Sequence, residues 1–439
     1  MKHLKMTYAK AFVVLFSLIL CATGSAQVKN GASAESRIYD EAKSNNAISS
    51  AYPHPVAGAS KIEALGGDPV EVSLLTCDPS EEVYGLYGHT ALRYRNKSTG
   101  EDWAFNYGIF NFEKPFFVLR FTLGKTDYEL GVTTYNFFRM MYAARGVRVR
   151  EQVLNLSAEE KARLYKALCV NYLPENRVYR YNCYYDNCTT RARDMIERCI
   201  VDGEICYDFS KVEDKEDTTT YRTLIHSSNK GHPWAAFGVD LCMGVGSDIS
   251  IDYRQMEFLP RVTLNHFDNA TIVRADTVVP LVRATRTVVA GVERPAAKEF
   301  PLSPLQCAWV LLAVSIVIMI CERRRGRTFK VWDVALMVVL GLSGILIVLL
   351  FLSEHPTTST NLQILVLNPL PFLFIPSVVR ESGKKRQGGF YRRSAYWTLS
   401  AALLILFLIG ALFQDYAEGM EIVALSLLTR CCSHFMIVR

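Results

Sequence analysis

The sequence predicts an α+β exported domain followed by an α-helical membrane domain of about five spans. The chain has 439 residues, 50% of them hydrophobic and 21% charged, and its long apolar runs fall within residues 1–27 and 305–439. Between these runs, residues 70–304 have the composition of a soluble domain, in which strand-like segments precede helix-like ones. This distribution excludes a simple cytosolic enzyme and a disordered chain.

Residues 1–26 have the three parts of a signal peptide: a lysine-rich start, an apolar core and small residues before the cleavage point. Cys21 could mark a lipoprotein signal, but it follows Leu20, where lipoprotein processing requires a small residue. We therefore expect ordinary cleavage or an uncleaved anchor, and export of the domain that follows. Residues 27–69 are polar and rich in Ala, Ser and Gly, which indicates a flexible lead-in.

The C-terminal part contains five apolar segments that are candidate membrane spans. The third carries three prolines, so we expect it to be kinked or partly re-entrant. Arg430 interrupts the last segment, for which an interfacial helix is the alternative. The predicted spans cover residues 305–321, 331–352, 362–379, 395–413 and 420–438.

The loops between these segments predict the orientation. The first and third loops are rich in Arg and Lys, whereas residues 353–361 and 414–419, the second and fourth, contain neither. The positive-inside rule places the basic loops in the cytoplasm. We therefore predict an inner-membrane protein with a periplasmic exported domain and a cytoplasmic C-terminus. Because many basic residues lie in these loops, the net charge of +6 does not indicate nucleic-acid binding.

The exported domain begins with segments typical of strands. Residues 70–76, 90–94 and 103–107 are rich in β-branched and aromatic residues and are separated by turn residues. Residues 267–297 alternate enough to suggest further strands, whereas residues 209–265 show no clear pattern.

Two helices are predicted between these strand regions. Ser157 and Glu160 form a capping box that starts the first helix, and the next proline ends it. The second helix begins at Cys188, with Asp186 or Asn187 as its N-cap, and runs for about three turns.

The motifs of common cofactor and metal enzymes are missing. The sequence has no His-Glu-x-x-His pattern and no Gly-x-Ser-x-Gly elbow, and its eight histidines lack metal-ligand spacing. Gly124-Lys125-Thr126 ends like a phosphate-binding loop, but Leu119 stands where the first glycine belongs. We predict neither a metal nor a cofactor.

The candidate chemistry lies in a predicted strand with His89 and at the helix start with Cys188. A helix N-terminus lowers the pKa of a thiol and so favours the nucleophilic thiolate. His89 is the natural base or ion-pair partner, and either Asp102 or Asn106 could orient its ring. Backbone N–H groups around Cys188 would supply part of an oxyanion hole.

The same residues also have structural interpretations. The exported part contains seven cysteines, so Cys188 could form a disulfide with Cys183 or share a metal with it. Because seven is odd, at least one cysteine is free or pairs outside the chain. A lone His89 would more often be a hydrogen-bonded core residue than a base. Composition alone leaves these interpretations open.

Seven ordered blocks are recognisable: Leu75-Thr76-Cys77-Asp78-Pro79, Tyr87-Gly88-His89-Thr90-Ala91, Phe105-Asn106-Tyr107-Gly108-Ile109-Phe110, Gly124-Lys125, Glu151-Gln152-Val153-Leu154-Asn155-Leu156, Pro174-Glu175-Asn176-Arg177 and Asp186-Asn187-Cys188-Thr189-Thr190-Arg191. Together they resemble the Lnb-type lipoprotein N-acyltransferase family of diderm bacteria. The resemblance covers the chain from about residue 70 onward, without the last predicted span. The number and order of the blocks make it specific.

The resemblance implies a permuted papain-like fold, as in lecithin:retinol acyltransferase-like enzymes. In that arrangement a histidine on a strand comes first, a polar partner follows on the next strand, and a cysteine starts a helix. His89, Asp102 and Cys188 match that order. The implied reaction moves an acyl chain from a phospholipid, through a Cys188 thioester, to the N-terminal amine of a diacylated lipoprotein in the membrane. It needs neither ATP nor a metal.

The matched blocks also contain Tyr87, Tyr107, Asn187 and Arg191, which we expect to bind substrate. Arg191 could pair with a phosphate. His355, in an outer loop, could bind a lipid headgroup or the acceptor, although a loop histidine is more often structural. The phenylalanine-rich stretch from Phe110 to Phe121 predicts an acyl groove or membrane-contact face, or plain core packing.

Two other functions stay open. A membrane-anchored cysteine amidase or peptidase acting on cell-wall peptides would use the same Cys188–His89 pair, with water in place of the amine. A soluble hydrolase, however, needs no five-span anchor. A non-enzymatic assembly or receptor protein of the cell envelope would instead have Cys188 in a disulfide and unreactive.

Overall fold

The computed structural model describes two compact units. The described residues are 68–81, 85–110, 115–292, 300–381 and 390–437. The predicted signal peptide and the lead-in up to residue 67 lie outside the described residues. The first unit comprises the described parts of residues 68–120, 125–219 and 250–298, and the second those of residues 121–124, 220–249 and 299–439.

The first unit is built on antiparallel sheets. Its described strands are β1 (Val70–Cys77), β2 (His89–Asn96), β3 (Glu101–Ile109), β4 (Asp127–Thr134), β5 (Val149–Leu154), β6 (Val178–Arg180), β7 (Gly203–Tyr207), β8 (Ala270–Arg274), β9 (Thr277–Pro280) and β10 (Val282–Val289). Seven of them form one sheet in the order β10-β5-β1-β2-β3-β4-β6, and the other three form a small sheet in the order β7-β8-β9. All the strand pairs are antiparallel.

Helices cover both faces of the large sheet. In chain order, the helices of the described residues before residue 300 are α1 (Phe117–Thr122), α2 (Tyr135–Ala144), α3 (Ala158–Tyr172), α4 (Cys188–Glu197), α5 (Tyr221–Ser228), α6 (Pro233–Asp240), α7 (Tyr253–Met256) and α8 (Pro260–Asp268). Helices α3 and α4 pack against the face that carries Leu92 and Phe105. Helix α2 packs against the opposite face, which carries Ala91 and Ala104, because successive strand residues point to opposite sides.

The predicted α+β class is confirmed, with antiparallel strands followed by a helical region. Helix α3 has Ser157 as its N-cap, and the capping box is complete, with Ser157 and Glu160 exchanging hydrogen bonds of 2.7 and 3.2 Å. Helix α4 begins at Cys188, and its N-cap is Asn187 rather than Asp186. The region without a clear sequence pattern, residues 209–265, contains the short helices α5 to α7 and most of α8.

The second unit contains the apolar helices. They are α9 (Pro304–Arg325), α10 (Lys330–Phe351), α11 (Leu370–Glu381), α12 (Phe390–Gly410) and α13 (Met420–Ile437). Three stretches of the described chain are long and apolar enough to cross a membrane: Pro304–Arg325, Lys330–Phe351 and Leu362–Arg380. Ala395–Gly410 is a shorter apolar helix. The described structure thus gives three to four apolar helices, and the fifth predicted segment is helical as α13.

Helix α13 runs beside α9 in the same direction. At the start of both helices, a Cβ on Gly419 would lie 2.9 Å from Ala308 Cβ, so only a glycine fits there. Further along, buried Arg430 of α13 donates to Glu322 of α9 at 2.8 Å and to Asp333 of α10 at 2.8–2.9 Å. The charge that interrupts the last segment is therefore paired inside the helical unit.

Residues 220–249 belong to this second unit because buried amides hold their backbone. Gln363 donates to the carbonyl of Asp240 at 2.7 Å, and Asn361 donates to that of Leu241 at 2.8 Å. Gln414 donates to the carbonyl of Met243 at 3.0 Å. The chain around the start of the third apolar stretch and the residues just after α12 thereby fix the backbone at and just after the end of α6.

Candidate active site

The N-terminus of α4 is held rigidly by Asn187. Its side-chain oxygen accepts from the amides of Thr189 and Thr190 at 2.8 and 3.0 Å, and its NH₂ group donates to the carbonyls of Cys183 and Phe258 at 2.8 and 2.9 Å. Cys188 is therefore fixed as the first helical residue, at the positive end of the helix dipole. Because its amide is fully used, Asn187 positions the helix rather than offering a free group to substrate.

His89 is the first residue of β2, and a tight turn at Gly88 precedes it. Gly88 has φ +75°, and a Cβ at this position would lie 2.6 Å from the carbonyl oxygen of Cys77. Only glycine fits such a position. The buried hydroxyls of Thr90 and Thr189 are 3.0 Å apart, which ties the start of β2 to α4. The strand and the helix thus bring His89 and Cys188 together.

The thiol and the imidazole form a hydrogen-bonded pair that favours charge separation. Burial alone raises the pKa of Cys188, but the charge of His89 and hydrogen bonds from His89, the Thr90 amide and the Thr189 hydroxyl lower it further than burial raises it. Burial alone lowers the pKa of His89, and the Cys188 thiolate together with Asn106 raises it. The net directions favour thiolate and imidazolium, the state of an activated cysteine nucleophile.

Asn106 is the residue that the structure brings to the imidazole. His89 Nε2 donates to Asn106 Oδ1 at 3.2 Å, which leaves Nδ1 for the proton that is exchanged with the thiol. In the β2–β3 ladder, Asn106 is opposite Ala91, two residues from His89. The neutral amide fixes the orientation of the ring without adding a charge.

Asp102, the other residue predicted to orient His89, lies elsewhere. The ladder places it opposite Arg95, six residues from His89, or about 20 Å along the strand. Its carboxylate accepts from Arg93 at 2.6 and 2.7 Å, and Arg93 also donates to Glu151 at 2.9 Å. Asp102 and Arg93 line a cavity of about 710 Å³ that includes neither Cys188 nor His89. The structure therefore does not bring Asp102 to the site.

The predicted substrate-binding residues have different surroundings. Tyr107 is buried and donates its hydroxyl to Asn171 at 2.6 Å, and Tyr87 is half-buried two residues before His89. Arg191 donates twice to Asp186, at 2.5 and 2.7 Å, so its guanidinium is already paired. His355 belongs to the second unit, where its ring nitrogen is 2.6 Å from the carbonyl oxygen of Phe121.

Tyr179 is close to the nucleophile and was missed by the sequence analysis. It lies on the three-residue edge strand β6, in a stretch with many tyrosines, so no motif distinguishes it. The guanidinium of Arg191 lies 3.6 Å from the centre of its ring. Its hydroxyl is buried and has no hydrogen-bond partner.

No metal ligation or disulfide accompanies the pair in the described part of the chain. Among those residues, no group of three or more His, Cys, Asp or Glu side chains could hold a metal ion. Cys188 forms no disulfide there, with Cys183 or any other described cysteine. The site therefore consists of Cys188, His89 and Asn106, with Tyr179 nearby.

Two family models match the chain. The model described as the Lnb N-terminal periplasmic domain matches residues 62–227, and the model described as the Lnb transmembrane domain matches residues 296–439. No curated protein and no solved structure matches it. The first match contains the site, and the second contains α9 to α13.

Proposed function

Because the chain belongs to the Lnb family, whose members join a periplasmic domain to transmembrane helices, we propose that it is a lipoprotein N-acyltransferase. The acyl chain passes from a phospholipid to a thioester on Cys188, and then to the N-terminal amine of a diacylated lipoprotein. The observation that carries the mechanism is the hydrogen-bonded Cys188–His89 pair, with Asn106 behind the imidazole.

The fold of the first unit supports the permuted papain-like arrangement implied by the resemblance. The histidine is on β2, its polar partner is on the adjacent strand β3, and the cysteine follows at the start of a helix packed on the same sheet. The polar partner in this arrangement is Asn106, not Asp102. The order of the three residues along the chain is the order that the resemblance predicts.

In the first half-reaction, the Cys188 thiolate attacks the carbonyl carbon of a phospholipid ester. A C–S bond forms, and the electron pair of the C=O bond moves onto oxygen. The intermediate then collapses: the C=O bond returns, the C–O bond to glycerol breaks, and the leaving alkoxide takes the proton of the His89 imidazolium. The products are a lysophospholipid and an acyl-thioester.

In the second half-reaction, the lipoprotein amine attacks the thioester. Neutral His89 accepts the proton that the amine loses, the C–S bond breaks, and the thiolate leaves. An α-amine has a pKa of about 8, so a fraction of it is unprotonated at neutral pH. The product is an amide, and the thiolate–imidazolium pair is restored for the next cycle.

An exposed apolar segment supports work at a lipid surface. Phe116 and Val118 are 79% and 76% exposed, and Leu119 is also exposed. In contrast, Phe110 stacks on Phe117 and packs against the core of the first unit. We assign the membrane-contact role to the exposed side chains and the core-packing role to Phe110, because exposed apolar groups of this size favour a lipid interface.

A direct acylation assay tests the proposed function. Full-length protein in detergent receives phospholipid with labelled acyl chains and a diacylated lipopeptide with a free N-terminus. We expect wild type to add one acyl unit to the amine, and Cys188→Ala and His89→Ala to add none. Loss of the acyl chain to water, with the lipopeptide unchanged, would support a lipase instead. Cleavage of cell-wall peptides would support the amidase or peptidase alternative.

Two further variants separate the candidate orienting residues. Asn106→Ala removes the acceptor of the His89 hydrogen bond, so we expect a large loss of rate. Asp102→Asn removes a partner of Arg93 and is expected to slow acylation much less. A larger loss for Asp102→Asn than for Asn106→Ala would contradict the assignment of Asn106.

A further inference from the structure

We propose that the Tyr179 hydroxyl stabilises the oxyanion formed when the Cys188 thiolate attacks an acyl carbonyl. This inference deepens the proposed function and rests on it. It assigns Tyr179 as a catalytic residue, because its hydroxyl would touch the reacting oxygen. Three features of the first unit support the proposal: the donors left at the helix start, the unpartnered hydroxyl, and the glycine that lies beside both this hydroxyl and Cys188.

The N-terminus of α4 has fewer free backbone N–H donors than a helix N-terminus normally offers. The amides of Thr189 and Thr190 are both donated to the side-chain oxygen of Asn187, at 2.8 and 3.0 Å. At the helix start this leaves the amide of Cys188 itself as a backbone donor, whereas the nearby Thr90 amide donates to the sulfur. Oxyanion holes generally combine at least two preorganised donors, so a second donor is needed.

The hydroxyl of Tyr179 is an available hydrogen-bond donor, and neighbouring side chains hold its ring in place. Its side chain is only 7% exposed, and its hydroxyl is buried without a hydrogen-bond partner. A buried polar group without a partner costs stability, so the Tyr179 hydroxyl needs an explanation, and a bound oxyanion supplies one. Two neighbours fix the ring of Tyr179. The guanidinium of Arg191, itself bonded to Asp186, stacks on it, and the Tyr107 ring packs edge-to-face with it, with 6.1 Å between the two ring centres.

Gly108 lies beside both the Tyr179 hydroxyl and Cys188. It has φ +89°, which favours glycine. A Cβ built on Gly108 would lie 3.8 Å from Cys188 Cβ and 4.0 Å from the Tyr179 hydroxyl oxygen. Gly108 therefore contacts the region of both groups, and an acyl carbonyl bound against this glycine would have Cys188 on one side and Tyr179 on the other.

The stabilised step is the formation of the tetrahedral intermediate. As the C–S bond forms, the carbonyl electron pair becomes a full charge on oxygen, and the Tyr179 O–H donates a hydrogen bond to it without transferring its proton. The same contact assists attack by the amine on the thioester, which passes through an equivalent oxyanion. Loss of one such donor slows an acyl-transfer step by about 10²–10³-fold.

The test compares acylation with alkylation of the same thiol. Full-length wild type and Tyr179→Phe react with p-nitrophenyl butyrate, with phospholipid and with iodoacetamide, and the Cys188 peptide is followed by mass spectrometry. Alkylation forms no oxyanion and reports only the thiolate. We expect Tyr179→Phe to slow acylation by about 10²–10³-fold, to leave alkylation within about twofold, and to leave the melting temperature unchanged or higher.

A matched variant and the remaining outcomes complete the test. Tyr207→Phe removes a buried tyrosine hydroxyl that is donated to Glu197 at 2.7 Å, and it should not slow acylation. Equal slowing of alkylation and acylation in Tyr179→Phe would overturn the proposal, since Tyr179 would then act on the thiolate. Unchanged acylation in Tyr179→Phe would also overturn it. The same holds if neither p-nitrophenyl butyrate nor phospholipid acylates Cys188 of the wild type. Acylation of wild type by the activated ester but not by phospholipid would refute the proposed function alone, and the Tyr179 comparison would then rest on the activated ester.

Discussion

At Cys188, two opposing effects act on the thiol. Burial disfavours the thiolate and raises the pKa, whereas the positive charge and hydrogen bond of His89 favour it. The net direction is downward because the imidazole is close and the Thr90 amide and Thr189 hydroxyl also donate to the sulfur. Reactivity at this residue therefore depends on the pair rather than on the helix N-terminus alone.

Replacement of His89 by Ala should shift the pH dependence of Cys188 alkylation to higher pH. The thiolate is the deprotonated form, so a lowered pKa means more thiolate at neutral pH in wild type. Without His89, burial raises the pKa unopposed by the imidazolium. For a pKa above 7, the alkylation rate at pH 7 falls about tenfold with each further unit by which the pKa rises. Iodoacetamide labelling between pH 5 and 10, about the range where Cys and His titrate, measures both profiles.

Cys206 provides an internal control for that measurement. It is exposed and lies on β7, away from the pair, so its labelling profile should be the same in wild type and His89→Ala. A Cys188 profile that stays at the same pH after the substitution would show that His89 does not activate the thiol.

At the scale of elements, local signals were sufficient for the helix that carries the nucleophile and for the strand that carries His89. Capping residues and strand alternation depend on neighbours in sequence, and α3, α4 and β1 to β3 lie where the pattern predicts them. The choice between Asp102 and Asn106 was not local. The two are four residues apart on one strand and face the same side, so only the ladder register separates them.

The last helix also depends on contacts between residues that are distant in sequence. Arg430 interrupts an apolar run, and in sequence this favours an interfacial helix as readily as a span. Its partners, Glu322 and Asp333, are 108 and 97 residues away in the chain, so the sequence pattern around Arg430 does not reveal them. His434 of the same helix also contacts Asp333, at 2.9 Å. The charged residue that interrupts the apolar sequence of α13 therefore links this helix to α9 and α10.

Arg430→Gln should destabilise the protein strongly, because it leaves buried Glu322 without its arginine and buried Asp333 with only the imidazole of His434. Breaking a buried ion pair on one side costs about 3–5 kcal/mol, whereas removing all the charges is often nearly neutral. The triple variant Arg430→Gln, Glu322→Gln and Asp333→Asn should therefore melt well above the single variant. Thermal unfolding in detergent measures both, with exposed Arg324→Gln as the control. A triple variant no more stable than the single one would contradict this account.

For the whole molecule, the direction of the last helix determines the location of the C-terminus. Gly419 contacts the start of α9, and Arg430 contacts Glu322 near the end of α9, so α13 runs in the same direction as α9. With the periplasmic domain before α9, we therefore predict that the C-terminus of α13 lies in the cytoplasm, as the basic first and third loops also predict.

Cysteine labelling in intact cells tests this topology. Glu418→Cys, in the loop without Lys or Arg, should react with a membrane-impermeant maleimide that has crossed the outer membrane, whereas Arg327→Cys should react only after the inner membrane is opened. A peptide tag placed after Arg439 should be protected from protease in spheroplasts and cleaved after lysis. Glu418 and Arg327 are both exposed, so a difference in their labelling reports the side of the membrane. Cleavage of the tag in intact spheroplasts would mean that α13 does not cross the membrane. The parallel packing of α13 with α9 would then not indicate the topology.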